Sequence, residues 1–306
     1  MSRSIPIDRA RRALVGGAAA WTSLALSGCG VTMPQPVSSS STADGLALLQ
    51  RALDAHGATA YSTLRDVNLS FDGEWYPTVG RLLPVLVDPG FRQRSEERLM
   101  PGLKVTGQQH RGPSGEKHVF RTATAVSVWV NGIPEQRAAR NEAAAAVPDG
   151  YQLFTLGPIF AAGRMMSVES AGRARLDDWD CDLLLIVMRP GMGFSDEDRA
   201  LFWIDRTEHL MRRVRFTFNG LPGTRGAVVD VDVFDYIAHA GVRWPTRYFE
   251  QVRSPLPLKV HSWWLTGLDV NRGYSVEDIS GSRMRGLAAM PARPLIGAPT
   301  RIHSRF

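Results

Sequence analysis

From residue 67 onward, the chain is dominated by short strand-like segments that glycine and proline separate at roughly ten-residue spacing. The first, VNLSFDGEW, places Val67, Leu69, Phe71 and Trp75 on one face of a strand. Comparable segments follow as RLLPVLV, FRQRSEERLM, KVTGQQH, KHVFRT and AVSVWV. Short connections favour antiparallel pairing between neighbours in sequence. This pattern predicts a large antiparallel sheet.

A second group of strand-like segments begins near residue 181. CDLLLIVMRP is apolar on both faces, which predicts a strand covered on both sides. ALFWID and LMRRVRFTF flank residues 205–208, which predict a hairpin turn. In the latter segment Val214, Phe216 and Phe218 share one face. AVVDVDVFDY, VRWPTRYFEQV and LKVHSWWLTGLDV complete the predicted sheet.

Helical patterns occur at two places. Residues 43–56 carry leucines at helical spacing and Gly57 follows as a stop, while a second short helical piece is predicted over 61–64. The alanine-rich, polar segment EQRAARNEAAAA predicts a surface helix. The apolar segment GYQLFTLGPIFAAG is interrupted by Gly157-Pro158 and predicts a short plug rather than one long helix.

The N-terminal segment predicts export and lipidation. Residues 10–30 combine arginines, small residues and an apolar run that is well short of the roughly 20 residues of a membrane span. Leu26-Ser27-Gly28-Cys29 resembles the lipobox of bacterial lipoproteins; the alternative is a fortuitous cysteine in an ordinary signal. The resemblance implies that residues 1–28 are a signal peptide and that acylated Cys29 anchors the protein to the membrane.

Two further features bear on localisation and domain limits. Arg11-Arg12 resembles the twin-arginine export signal, with the ordinary Sec route as the alternative. Gly30 replaces the aspartate that retains lipoproteins at the inner membrane, which favours the periplasmic face of the outer membrane. Residues 29–42, rich in Ser and Pro, predict a flexible tether, 43–281 one domain, and 282–306 a Pro/Arg-rich tail.

Composition and motifs argue against several function classes. The formal net charge of +6 halves once the leader is removed, and the absence of any Lys/Arg run argues against a nucleic-acid partner. No histidine pair, G-x-S-x-G, phosphate loop or zinc pattern occurs, so we predict no catalytic residue, metal ligand or cofactor. Asp230 and Asp232 fit an outward polar face better than a catalytic pair. Cys181 fits a buried structural thiol.

The overall order of segments resembles a known superfamily. ALDAHGATAYSTLRDVNLSFDGEW, the strand meander, and LFWIDRTEHLMRRVRFTF with VVDVDVFDYIAHAGVRWPTRYFE are similar to the LolA/LolB/LppX-like lipoprotein-sorting and lipid-carrier proteins. The resemblance covers most of residues 43–275. It implies an α+β fold in which a strongly curved antiparallel sheet, an open half-barrel, wraps over a few helices. It also implies an apolar cavity for acyl chains such as palmitate.

Within such a half-barrel, large apolar side chains are candidates to line the cavity, and a plain closed core is the alternative for each. The candidates are Trp75, Trp129, Leu153, Phe154, Leu156, Phe160, Phe216, Phe218 and Trp264.

The sequence therefore predicts a lipoprotein that is not an enzyme and that binds or transfers a lipid or lipoprotein acyl chains. One alternative is a scaffold or accessory lipoprotein of an envelope complex, with an envelope protein as partner; another is a periplasmic hydrolase with dispersed catalytic residues. A cavity of several hundred Å³ favours the binder. A packed interior favours the scaffold, and a histidine near a carboxylate and a hydroxyl favours the hydrolase.

Overall fold

The computed structural model describes residues 31–292, so the predicted signal peptide, Cys29 and the end of the tail lie outside the described residues. Six helices are α1 Ala43–His56, α2 Ala58–Ser62, α3 Pro77–Leu82, α4 Pro84–Val87, α5 Ala138–Leu156 and α6 Pro158–Ala162. The first seven strands are β1 Val67–Trp75, β2 Arg94–Met100, β3 Val105–Gly112, β4 Gly115–Arg121, β5 Val126–Val130, β6 Ile133–Pro134 and β7 Met165–Leu176. The remaining strands are β8 Trp179–Met188, β9 Asp198–Asp205, β10 Met211–Phe218, β11 Ala227–Phe234, β12 Ile237–His239, β13 Val242–Trp244, β14 Arg247–Ser254 and β15 Leu258–Val270.

Thirteen strands of the described chain form one antiparallel sheet, and β12 and β13 form a separate hairpin. The sheet order is β6-β5-β4-β3-β2-β1-β15-β14-β11-β10-β9-β8-β7. Most neighbours in the sheet are neighbours in sequence, as the short connections predict. β6 and β7 are unpaired edges, so the sheet is not closed. The predicted α+β half-barrel is therefore confirmed.

The main hydrophobic core joins the inner face of the sheet to α1, α5 and α6. On β10, Val214, Phe216 and Phe218 are buried in this core, as the alternation predicts. The opposite face carries ion pairs between Arg215 and Asp230 and between Arg213 and Asp232. These carboxylates lie on the outward face, as predicted, but they are buried in ion pairs rather than solvated.

Four local predictions were wrong. RLLPVLV is not a strand: Pro77 and Pro84 each open a short helix, because proline fits the first helical turn and cannot donate to a sheet. The second helical piece spans Ala58–Ser62. The predicted surface helix and the first half of the plug form one helix, α5. Its alanines 143–146 are buried, because small side chains let the helix approach β4 and β5 closely.

The predicted break after α5 is confirmed. Gly157 ends the helix with a φ of 54°, a left-handed value that favours glycine, and Pro158 begins α6. α1 begins at the predicted residue: the Thr42 side chain accepts a hydrogen bond from the Gly45 N–H at 3.1 Å. It ends at Gly57, also at positive φ.

The described parts of both terminal segments pack against the sheet. The Val37 N–H donates to Glu169 Oε2 at 3.0 Å, and Arg199 Nη1 donates to the Pro34 carbonyl at 2.6 Å. Met33 is buried in a second cluster on the convex face with Cys181. Residues 31–42, expected to be a flexible tether, are thus held in place by backbone and side-chain contacts.

At the other end, Met284 is buried, and the Met290 N–H donates to Asp269 Oδ2 at 2.6 Å. Residues 282–292 of the predicted loose tail therefore cover part of the sheet. Between residues 31 and 292, no helix combines the length and apolarity that a membrane-spanning helix needs.

Candidate ligand cavity

A cavity of about 80 Å³ lies between the concave face of the sheet and helices α3, α4 and α5. α5 contributes Val147, Tyr151 and Phe154 to its wall. β10 contributes Phe216 and Phe218. The walls are therefore mostly apolar, and they come from segments that are far apart in sequence.

The α3–α4 segment, residues 77–87, forms the outer cover of this cavity. Val79 and Val87 are buried and pack with Val260 of β15. On the opposite side of the same segment, Leu82 and Val85 are 58% and 42% exposed. Helices of six and four residues are too short to be stable alone, so this cover depends on its packing against the sheet and α5.

Trp75, His261 and Trp263 line one side of the cavity as stacked rings, and Tyr248 continues the stack behind them. The Trp75 and His261 ring centroids are 3.9 Å apart, those of His261 and Trp263 4.7 Å, and those of Trp263 and Tyr248 4.8 Å. The register makes this possible, because Trp75 on β1 lies opposite His261 on β15.

Gly73 allows the stack to approach β1 closely. Gly73 lies opposite Trp263 in the β1–β15 register. A Cβ atom at this position would lie 2.7 Å from the Trp263 Cβ and 2.7 Å from His261 Nε2. Both distances are shorter than a normal van der Waals contact, so any larger residue here forces the rings to move.

Polar groups cluster where the ring stack meets the cavity. The guanidinium of buried Arg92 lies 4.6 Å from the Trp75 ring centroid and 5.7 Å from that of Tyr151. Arg92 Nη1 donates to the Leu86 carbonyl at 2.6 Å, which ties α4 to this end of the cavity. Glu250 also lines the cavity, and burial raises the pKa of its carboxyl to about 7.

Two histidines near this cluster are buried and uncharged near neutral pH. Burial lowers the pKa of His261 well below its usual value, and the positive charge of Arg92 lowers it further. Burial also lowers the pKa of His110 well below its usual value, and the positive charge of Lys117 lowers it further. Burial raises the pKa of Glu97 on β2 to about 8, against a hydrogen bond from Gln108.

Four of the nine predicted lining residues lie in the wall of this cavity. Trp75, Phe154, Phe216 and Phe218 line the cavity. The other five predicted residues do not lie in its wall: they are Trp129, Leu153, Leu156, Phe160 and Trp264.

Leu156 and Phe160 line a second pocket of about 300 Å³ at the α5–α6 junction. Leu153 is fully buried in the main core. The predicted plug segment therefore contributes to the cavity through Phe154 and to a different pocket through its later residues.

Two predicted tryptophans lie elsewhere on the sheet. Trp129 on β5 stacks on His118, with ring centroids 5.5 Å apart. Trp264 on β15 is partly exposed, whereas its neighbour Trp263 is buried in the cavity wall. The assignment of Trp264 to the inner face was wrong, because β-bulges in β15 shift its alternation, and only the pairing with β1 and β14 reveals them.

Sequence reasoning missed Arg92, Tyr151 and the α3–α4 cover. The available signals were Pro77 and Pro84, which indicate helix starts rather than a strand. Nothing in the sequence pattern placed Arg92 beside an apolar cavity, because arginine next to a strand is ordinarily exposed.

The second pocket combines an apolar wall with a cluster of charged residues. Asp149 on α5 is 1% exposed and accepts hydrogen bonds from Arg164 Nη2 at 2.8 Å and from the Gly193 N–H at 2.8 Å. Arg121 Nη2 lies 3.3 Å from the same carboxylate. These bonds tie α5 to β4 and to the loop that precedes β9.

No family model matches the sequence, and no curated protein matches it. Solved structures do match. A LolA superfamily protein from Nitrosomonas europaea is 12% identical, with 77% of this chain and 96% of that chain covered and a TM-score of 0.48. The lipoprotein LppX from Mycobacterium tuberculosis is 11% identical, with 57% and 90% covered and a TM-score of 0.26.

Proposed function

We propose that this protein is a lipid-anchored envelope lipoprotein that binds an apolar ligand, a lipid or the acyl chains of another lipoprotein, between its half-barrel and α3–α5. The observation that carries the proposal is the apolar cavity on the concave face of an unclosed sheet. The lipobox-like Leu26-Ser27-Gly28-Cys29 supports attachment to the membrane, and Gly30 supports the periplasmic face of the outer membrane.

The size of the cavity implies that the ligand enters by displacing the cover. Ligand pockets commonly measure about 300–1,000 Å³, whereas this cavity measures about 80 Å³. Outward movement of residues 77–87 would open the space between Phe154 and Val260. Segments with few packing contacts open at low free-energy cost, which suits two short helices held mainly by side chains.

The expected mechanism is transfer between hydrophobic environments without covalent chemistry. Burial of each methylene contributes about 0.8 kcal/mol, so a sixteen-carbon chain contributes roughly 12 kcal/mol before ordering and cover-opening costs. A carrier must hold its ligand more weakly than the destination does. The free energy needed to displace residues 77–87 lowers the affinity for the ligand, as release to the destination requires.

The small cavity volume also favours a second candidate, a scaffold or accessory lipoprotein of an envelope complex. An interior already filled by side chains needs no ligand to be stable. The two candidates differ in whether the folded protein takes up an apolar probe, which is a direct measurement.

The test uses uptake of the uncharged fluorescent probe N-phenyl-1-naphthylamine and native mass spectrometry of the full chain. The wild type should bind the probe and retain a lipid-sized mass. Val229→Phe places a ring in the cavity, since Val229 lines it, and should abolish uptake without loss of folding. Val228→Phe, on the opposite face of β11, is the matched control and should leave uptake unchanged. A folded wild type that takes up no probe excludes the carrier and leaves the scaffold.

A further inference from the structure

A small polar void adjoins the apolar cavity. It measures about 10 Å³, and its lining includes Arg92, His110, Tyr151 and Trp263. Arg92 and Trp263 line the apolar cavity as well. A ligand that fills the cavity therefore meets these two side chains at its end. The volume accommodates about one atom the size of a water oxygen.

Two hydrogen-bond donors at this void have no partner among residues 31–292. They are Arg92 Nε and Trp263 Nε1, both completely shielded from solvent. Both groups can only donate, so only an acceptor satisfies them. A buried donor without an acceptor costs about 1–3 kcal/mol, and more when it is charged. Two such donors on residues that line one void indicate a place built for an acceptor.

The guanidinium charge of Arg92 is not paired, although Asp72 also lines the void, because the Asp72 carboxylate pairs with Arg94 at 3.3 Å. The Arg92 side chain is 7% exposed and donates to a backbone carbonyl, but it makes no ion pair with a carboxylate in the described chain. Glu97 and Glu250 do not compensate it fully, because burial raises their pKa values to about 8 and about 7. Lys117, which adds positive charge nearby, is already paired with Asp88.

We propose that this void receives one carboxylate or phosphate oxygen of an anionic single-chain amphiphile, held by Arg92 and Trp263, with the chain in the apolar cavity. The inference rests on the proposed function and narrows its ligand class to acyl chains that end in an anion. Arginine suits this role because its planar fork donates to carboxylate and phosphate oxygens alike.

The experiment measures displacement of N-phenyl-1-naphthylamine from the full chain by three ligands with the same chain length: dodecanoate, dodecyl phosphate and 1-dodecanol. An anionic ligand should displace the probe at a concentration about tenfold lower than the alcohol does, because a charge-assisted hydrogen bond is stronger than a neutral one. Comparison of dodecanoate with dodecyl phosphate identifies which head group is preferred.

Three variants test whether the preference for an anionic ligand depends on Arg92 and Trp263. Arg92→Met should bring the anion-to-alcohol ratio to about one. Arg173→Met, on β7 with its side chain 71% exposed and away from the void, removes the same charge from the surface and should leave the ratio unchanged. Trp263→Phe keeps an aromatic ring but removes the N–H, and should weaken dodecanoate about threefold with the alcohol unaffected. If Arg92→Met does not fold, the anion-to-alcohol ratio measured for Trp263→Phe tests the proposal.

The outcomes separate the two proposals. Equal displacement by dodecanoate, dodecyl phosphate and dodecanol from the wild type overturns the head-group site and leaves the apolar cavity as the binding site. A wild type that takes up no probe overturns the proposed function and the head-group site together. An anion preference that survives both Arg92→Met and Trp263→Phe overturns the assignment to this void.

Discussion

Asp149 provides a stringent test of how α5 is held against the sheet. Its carboxylate is 1% exposed and bridges Arg121 and Arg164, and it also accepts the Gly193 N–H. Asp149→Asn keeps the size of the side chain but removes its charge. The substitution leaves the buried guanidinium of Arg121 without a counter-charge, which is the expensive way to break an ion pair.

The expected cost is about 3–5 kcal/mol in the free energy of unfolding, the range found when one partner of a buried ion pair is removed. For a domain of this size, each kcal/mol lowers the melting temperature by about 2–4 °C. The melting temperature should therefore fall by roughly 6–20 °C. Arg121→Met in the Asp149→Asn background should recover part of this loss, because it removes the uncompensated charge.

Asp182 is the matched control for Asp149. It also lies between two arginines, at 3.2 Å from Arg173 and 3.7 Å from Arg206, but its pairs are at the surface. Asp182→Asn should cost at most about 1 kcal/mol, because exposed ion pairs contribute little. Guanidinium chloride denaturation of the variants gives the comparison. Equal losses for Asp149→Asn and Asp182→Asn would refute the reasoning from burial.

Three further predictions concern the ring stack, a buried carboxyl and the thiol. Gly73→Ala should destabilise the protein by about 1–3 kcal/mol in thermal melts and alter tryptophan fluorescence, because the added Cβ meets Trp263 at 2.7 Å; an unchanged melt contradicts the close approach. Glu97→Gln should gain stability relative to wild type as pH rises from 5 to 8. The folded-state pKa of Glu97, about 8, lies above its ordinary value of 4.5, so the wild-type contribution is fully present below pH 4.5 and is lost as pH rises through 8; a pH-independent difference in denaturation midpoints rules this out. Cys181 should react with iodoacetamide at pH 8 only after unfolding, since burial raises its pKa to about 11, and rapid labelling of the native protein would show that the thiol is accessible.

The sequence alone determined the fold class and the positions of many strands. The alternation in LMRRVRFTF correctly separated Val214, Phe216 and Phe218 from the arginines, because the side-chain period of a strand is local. The helix break at Gly157-Pro158 could also be predicted from the sequence, because glycine and proline determine the backbone conformation at their own positions. Phe154, Phe216, Phe218 and Trp75 could be named as cavity candidates because the resemblance implies a cavity and these side chains are large and apolar.

Tertiary structure decided which apolar side chains meet the cavity and what lies at its end. Trp263 rather than Trp264 faces inward, because bulges in β15 reset the alternation and arise from pairing with strands far away in sequence. Ala144 is buried because β4 and β5 lie against α5, and Ala146 because the main core lies on another side of the same helix. Arg92 acquires its importance from Trp75, Tyr151 and Trp263, which are brought to it by three different elements. The hydrophobic pattern of a segment shows which side chains share a face. Which element covers that face depends on long-range contacts, and these depend on the whole chain.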